Sequence, residues 1–441
     1  MGSTLSTPVE SKGVEQVQGK DYSIAAVSMQ GYRPTMEDAH FMFPRTHVHE
    51  ELSNHPNTVA FGVFDGHGGF HASEFLAEHA VPALNALPYL SDENLSNMME
   101  GLDARFLETE GKNDGSTSCI TLITTTPAHG KSPKPAQREL INVNVGDSRC
   151  LVISKQGKIR FATVDHEPDN EEEEARITKA GHFVSGGRID GDQLNLSRAI
   201  GDASFKQEED MSAREQPVIA LPTIHRMYLN PDDIVLVMCD GLTERMSNEE
   251  ITEFVHEALT HNYNVTPDVV AEVLIRLIDT SLAKSSKDNM SAILWVPSPH
   301  THKEGFSKTS YLVKKPRNTS DSKFMESFYH NAQMNGFPKQ QVENALKDHA
   351  ELDTIELVKH VEHFSFLHGG SYVKKQIPDA LIPSEHVSQY HMHGHINDKR
   401  TGYGLFLWEL RAEQRLSGMA LRWGKLSHKK RLDYIMRAKA L

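Results

Sequence analysis

The chain has 441 residues, 38% hydrophobic and 24% charged, which suits a folded protein of two or three domains and excludes disorder throughout. Its strongest apolar runs, such as Ile234–Cys239, fall far short of the ~20 residues of a spanning helix, and no basic, apolar leader opens the chain, so a cytoplasmic protein is expected. The net charge of −14 is uneven: residues 1–300 carry 24 Lys and Arg against 45 Asp and Glu, whereas residues 301–441 carry 22 against 15. An acidic first part disfavours nucleic acid and suits a site that concentrates divalent cations, and the basic second part reads as a separate module.

In chain order, residues 1–20 are polar and read as a flexible tail. Strand-like runs rich in Val, Ile, Phe and Thr follow at 24–28, 59–64, 118–125, 140–145, 150–154, 234–239 and 292–296. Helical spacing appears at 70–84, 92–108, 170–180, 248–259 and 267–282. Strands come in pairs and helices in blocks, which predicts an α+β fold with antiparallel sheets and helices packed outside. Residues 126–137 read as an exposed hairpin loop, and Glu171–Glu174 as the solvated first turn of a helix. Residues 298–322 have no periodicity and mark a linker. Beyond it, 322–350 and 353–364 carry helical spacing, 368–400 read as irregular, and 404–441 are helical again, making 323–441 a basic, mainly helical region. Cys119, Cys150 and Cys239 are far apart in sequence and form no disulfide framework.

The chemistry lies in carboxylates placed at strand ends. Asp65 closes a strand at Val-Phe-Asp-Gly-His-Gly-Gly, and Asp240 closes another at Val-Met-Cys-Asp-Gly-Leu. Asp147 follows a strand in Gly-Asp-Ser-Arg, Asp288 precedes Asn289 and a strand, and Glu37 and Asp38 sit together after Arg33-Pro-Thr-Met. Any single Asp-Gly is an ordinary turn dipeptide. Several hard oxygen ligands converging from neighbouring strand ends are what Mg²⁺ or Mn²⁺ requires.

Together these motifs resemble the metal-dependent protein Ser/Thr phosphatases of type 2C. The resemblance covers about residues 20–296 and runs in order through Met29–Arg33 with Met36–His40, Phe61–Gly69, Gly115–Thr117, Gly146–Arg149, Asp165-His166, Leu196–Asp202, Cys239–Gly241 and Asp288–Ser291. It implies a catalytic domain over 21–297, a central β-sandwich of two antiparallel sheets flanked by helices, here with a C-terminal helical extension. It implies two Mg²⁺ or Mn²⁺ ions sharing an activated hydroxide that hydrolyses phosphoserine and phosphothreonine in proteins. By the same resemblance Asp65 bridges the metals and Gly66 lends a backbone carbonyl. Asp240 and Asp288 bind the first metal, Glu37 and Asp38 hold metal-bound waters, and Asp147 serves a third, looser metal. Arg33 clamps the phosphate through paired guanidinium donors, and His67 protonates the departing alkoxide. Asp202 reads as structural. Where the family continues Asp-Gly-x-Trp-Asp, this chain has Asp240-Gly241-Leu242-Thr243-Glu244, so the third metal site depends on the longer Glu244. Asp190 and Asp192 lie where the family has a variable flap and are read as tuning peptide preference.

Met1-Gly2-Ser3-Thr4-Leu5-Ser6 fits N-myristoylation at Gly2. One acyl chain gives only weak, reversible membrane contact. His391, His393 and His395 read as a solvated loop, and the basic, aromatic segment 401–441 as a helical pair for an acidic protein partner or, less readily, nucleic acid. A monomer is expected. The competing reading is a catalytically inactive phosphatase-like scaffold whose basic C-terminal region recruits partners.

Overall fold

The computed structural model describes residues 4–19, 21–43, 55, 57–126, 137–191, 193–260, 265–298, 306–359, 361–366 and 372–376. Gly2, Asp192, the interior of the 126–137 loop, the three loop histidines and the segment 377–441 lie outside them.

Two antiparallel sheets carry the fold. The first orders its strands as Ile159–Ala162, Arg149–Ile153, Ile234–Met238, Met290–Pro297, Tyr22–Gly31, Val9–Gln18, Phe306–Lys314 and Thr354–Lys359. The second runs Thr223–Leu229, Gln137–Val145, Ser118–Thr126, Thr58–Phe64 and Ala39–Phe43. Every run read as a strand is one, and the pair Thr126↔Gln137 closes the hairpin around the expected loop.

The strands alternate their faces. Leu140 points into the sandwich beside Phe61, Ile123 and Leu236, whereas Ile141 and Val143 point out against Leu76, Leu84, Leu95 and Phe106. The last four belong to helices His71–Ala86 and Asp92–Phe106, the second capped by the Ser91 hydroxyl accepting from Asn94 N–H. On the first sheet, helices Asn248–Thr260 and Pro267–Ala283 bury Val255, Val270, Leu274 and Leu277. Thr266 caps the latter, with Pro267 in its first turn.

Three expectations are corrected. Residues 9–18 are not a mobile tail but an inner strand. Its few aliphatics disguised it. Lys12 is buried because it pairs with Asp279 at 2.7 Å, and Gln16 because it donates to Asp268 at 3.0 Å, both on the helix that covers the sheet. Within the expected linker, Phe306–Lys314 is the next strand, with Tyr311 fully buried and its hydroxyl donating to Asn331 at 2.7 Å. The expected helix over 353–364 is strand instead, at Thr354–Lys359 and Val361–Phe366, because Ile355 and Leu357 alternate inward with Glu356. The helical reading of 322–350 is two helices, Ser322–Met334 and Lys339–Asp348. They pack Phe324, Phe328 and Val342 on Leu5, Val9, Tyr311 and Val313, a core built from both ends of the described chain.

Candidate active site

The site gathers where strands of both sheets end. Thr58–Phe64 is buried at every position and delivers Asp65 beyond its last residue. Asp65 is held on both sides by Thr117: its N–H donates to Thr117 Oγ1 at 3.0 Å, and its carbonyl accepts from Thr117 N–H at 2.9 Å. Gly66 follows where no side chain fits, since a Cβ there would lie 2.3 Å from the Glu37 carbonyl oxygen. Asp240 begins the short helix Asp240–Thr243 directly after the strand Ile234–Met238 and Cys239. Asp147 follows Gly146, whose φ of +100° makes the turn after Gln137–Val145.

Asn289 ties the remaining pieces together. Its side-chain amide donates to the carbonyls of Gln30 at 2.8 Å and Thr35 at 3.1 Å, and its Oδ1 accepts from Glu37 N–H at 2.8 Å. Its own N–H donates to Asp288 Oδ1 at 2.8 Å. One residue thus registers the Arg33–Asp38 segment against Asp288.

The electrostatics are those of crowded like charges. Burial, then the charges of Asp288 and Asp240, push Asp38 up to about 7 against the relief offered by Ser291 and Cys239. Burial and Asp288 push Asp240 up to about 6, with Glu244 adding to the rise. Asp65 lies well above the usual carboxylate range because it is buried and faces Asp38, Asp240, Asp288 and Asp147. Asp147 is raised by burial, Asp240 and Asp165. The structure therefore brings Asp38, Asp65, Asp147, Asp240 and Asp288 into one electrostatic cluster, with Glu37 and Glu244 at its margin. Glu244 is exposed and lies 3.2 Å from Arg245.

This donor set fits divalent cations. Both Asp38 oxygens are buried without a hydrogen-bond partner of ordinary geometry, a costly state for a carboxylate that a cation relieves. Oxygens of Asp38 and Asp65 and the Cys239 sulfur lie within 4.8 Å of one another. Cys239 is the outlier in that group: burial holds its thiol well above its ordinary pKa, and it contacts the Asn289 carbonyl at 3.6 Å. A protonated thiol is a poor ligand beside hard carboxylates, so the carboxylate oxygens rather than the sulfur are the atoms suited to such a cation.

The family described as "Protein phosphatase 2C" matches residues 22–290. The chain belongs to that family. "Probable protein phosphatase 2C 4" of Paramecium tetraurelia is 33% identical over 318 residues, covering 67% of this chain and 98% of that protein. "Probable protein phosphatase 2C 60" of Arabidopsis thaliana is 32% identical, covering 67% of this chain and 91% of the plant protein. A crystal structure titled as a phosphatase from a pathogenic strain of Toxoplasma gondii superposes with a TM-score of 0.59 and 27% identity, over 68% of this chain and 99% of that one.

Within this type 2C domain, Arg33 sits at the rim, its Nη2 donating to Asp288 at 2.6 Å and its side chain 44% exposed. His67 lies in the short strand Gly66–His67, its Nε2 2.8 Å from Asp202 Oδ2. Burial pulls this imidazole's pKa down, but the charge and hydrogen bond of Asp202, with Glu37 and Asp114 beyond, outweigh it and leave it raised. Sequence reasoning set Asp202 aside as structural. The structure places its carboxylate on His67, from a residue in the left-handed region at φ 51°. The local signal was the Ile-Gly-Asp corner alone; its partner lies 135 residues earlier. Thr117 and Asn289 were likewise missed as organisers, although both stand inside quoted motifs. Asp190, read with Asp192 as tuning peptide preference, binds His182 Nδ1 at 2.8 Å and accepts from Phe183 N–H at the hairpin of Val184–Ser185 and Arg188–Ile189.

Proposed function

We infer that this chain is a metal-dependent protein Ser/Thr phosphatase, hydrolysing phosphoserine and phosphothreonine in proteins at the carboxylate cluster. The observation that carries the reading is the buried, unpartnered Asp38 beside Asp65, Asp240 and Asp288, inside a type 2C domain. Asp65, the Gly66 carbonyl, Asp240 and Asp288 would hold two Mg²⁺ or Mn²⁺ ions, with Glu37 and Asp38 behind them and Asp147, helped by Glu244, offering a third position. Such ions supply a water acidified toward neutrality and shield the phosphate's charge.

The chain's own residues do the rest. Arg33 offers its guanidinium donors to the phosphate oxygens, while the Asp288 contact at Nη2 fixes its direction. Asp202 engages His67 Nε2, which leaves Nδ1 as the nitrogen free to face substrate. Protonated at Nδ1, His67 gives that proton to the serine or threonine oxygen as its bond to phosphorus breaks; water supplies the oxygen that phosphate gains. Arg33, His67 and the acidic ligands are all present, which favours an enzyme over an inactive scaffold.

The test is phosphate release from a phosphothreonine peptide by the purified full chain in Mn²⁺ and in EDTA. Turnover that requires the metal supports the reading; no release despite Mn²⁺ binding refutes it. Gly2 acylation and weak membrane contact belong to the same proposal, supported by the Met-Gly-Ser-Thr-Leu-Ser motif alone. Incorporation of an alkyne-tagged myristate that vanishes in Gly2→Ala is the expected result.

A further inference from the structure

Arg33 reaches the site from an irregular segment between the strands Tyr22–Gly31 and Ala39–Phe43. No sheet or helix bonds shape that segment, so other donors must. Four successive carbonyls are each taken by a different one. Tyr32 O accepts from Leu5 N–H at 2.7 Å, and Arg33 O from Gln30 Nε2 at 2.8 Å. Pro34 O accepts from Ser327 Oγ at 2.5 Å, and Thr35 O from Asn289 Nδ2 at 3.1 Å. Gln30 and Asn289 lie within the residues matched by the family, 22–290, but Leu5 and Ser327 lie outside them on either side.

The two outer donors belong to one brace. Ser327 is 7% exposed on helix Ser322–Met334, and its hydroxyl accepts from the buried Gln30 Nε2 at 2.6 Å while donating to Pro34. One hydroxyl thus links the carbonyl that follows Arg33 to the amide that holds the Arg33 carbonyl itself. Asp321 caps this helix, accepting from Phe324 N–H at 3.1 Å, and also accepts from Ser6 Oγ at 2.7 Å. Leu5, next to Ser6, packs with Phe324 and Phe328 of the same helix. The two ends of the described chain therefore grip the arginine segment together.

We propose that Ser327 is a positioning residue for phosphate binding: with Leu5 N–H and Gln30 it fixes the backbone on both sides of Arg33, and the C-terminal helix pair thereby sets substrate affinity. The inference rests on the reading of Arg33 as the phosphate clamp. The arginine side chain is 44% exposed and anchored at Nη2 by Asp288. A long side chain meets its ligand with less ordering to complete when its backbone is already fixed. Ser327 touches no reacting atom; it acts through Arg33 alone.

The test is Ser327→Ala in the full chain, which removes the hydroxyl and leaves Phe324 and Phe328 in place. With Mn²⁺ present, KM for a phosphothreonine peptide and the inhibition constant of inorganic phosphate should both rise roughly three- to tenfold, with kcat within about twofold. Ser327→Thr keeps the donor and should behave as wild type. In an Arg33→Ala background, Ser327→Ala should cause no further loss of kcat/KM, because the residue it positions is gone. Val342→Ala thins the same core without contacting the segment, so it should lower the melting temperature and leave KM unchanged. By hydrogen-exchange mass spectrometry, the peptide spanning 32–38 should exchange faster in Ser327→Ala, while that spanning 58–64 keeps its rate. An unchanged KM and phosphate inhibition, a threonine no better than alanine, independent losses with Arg33→Ala, or an equal KM rise in Val342→Ala would overturn the proposal and make Ser327 a packing residue. Exchange needs no turnover. If the wild type releases no phosphate, the phosphatase reading fails; faster exchange at 32–38 in Ser327→Ala alone would still show the brace, and unchanged exchange would remove it.

Discussion

Two groups of buried carboxylates in this molecule have opposite fates. Glu173, on helix Glu171–Lys179, is 4% exposed and meets Arg176 at 2.7 Å and Arg198 at 2.5 Å. Burial alone would raise its pKa, but the two guanidinium groups outweigh burial and hold it at about 2. In the cleft, five aspartates crowd together with Arg33 beside Asp288 and Arg149 near Asp147, and burial with mutual repulsion drives Asp38 up to about 7 and Asp240 to about 6. The first group is electrically complete and serves the fold. The second is left with an excess of negative charge, and that deficit is what the proposed metal site would use.

The largest expected effect breaks the second group alone. Asp65→Asn removes the carboxylate that faces four other acids. Activity on a phosphothreonine peptide should fall roughly 10³-fold or more while the melting temperature in EDTA holds or rises. A variant that unfolds, or that retains turnover, would erase the contrast. The complementary change is Glu173→Gln, which leaves Arg176 and Arg198 buried with an uncharged partner. Breaking a buried pair costs about 3–5 kcal/mol, so chemical denaturation should show a large loss of stability, with the folded fraction keeping its turnover. The Glu173 group would prove functional if kcat per folded molecule collapsed as well.

A smaller effect separates His67 from its support. Asp202→Asn keeps a hydrogen bond to Nε2 but removes the charge. Turnover of phosphothreonine peptide should drop about 10- to 100-fold, and that of p-nitrophenyl phosphate far less, because nitrophenolate leaves without a proton. His67→Gln should show the same selectivity, more strongly. Equal losses on both substrates would make Asp202 a structural residue, as its sequence context had implied.

The same contrast explains what could be read before the structure. The strands that end just before Asp65 and Asp240 are apolar runs stopped by Asp-Gly, and Asp288-Asn289 opens another such run, so both fold and cluster were legible locally. Strand Val9–Gln18 was hidden because two of its buried polar residues find their partners 252 or more residues away, Gln16 at Asp268 and Lys12 at Asp279. Residues 354–359 alternate over too few positions to distinguish a strand from one turn of helix; pairing with Phe306–Lys314 decides it. Asp202 was illegible for a related reason: its role rests on a contact that only the folded sandwich creates.

The smallest predicted effect tests the electrostatic contrast directly. Asp38 titrates near 4 when unfolded and about 7 when folded without metal, so the folded state binds more protons across that interval. Its stabilising contribution is full below pH 4, declines as pH rises toward 7 and is gone above it. In EDTA the melting temperature should therefore fall between pH 5 and 7.5, and Asp240, raised to about 6, adds to the fall. Glu173 is already ionised throughout this window, since its pKa lies near 2, and contributes no slope. His166, neutral in the fold with a pKa near 3, contributes the opposite slope, but equally in wild type and Asp38→Asn. The difference between those two profiles reports Asp38 together with the relief its removal gives Asp65: Asp38→Asn should lose the decline by a few degrees and gain least from Mn²⁺ at pH 7.5. In wild type Mn²⁺ takes the place of the protons, so its stabilising shift should grow with pH. Parallel profiles for the two proteins in EDTA would mean that the cleft carboxylates do not share one field, and the comparison with Glu173 would fail at its source.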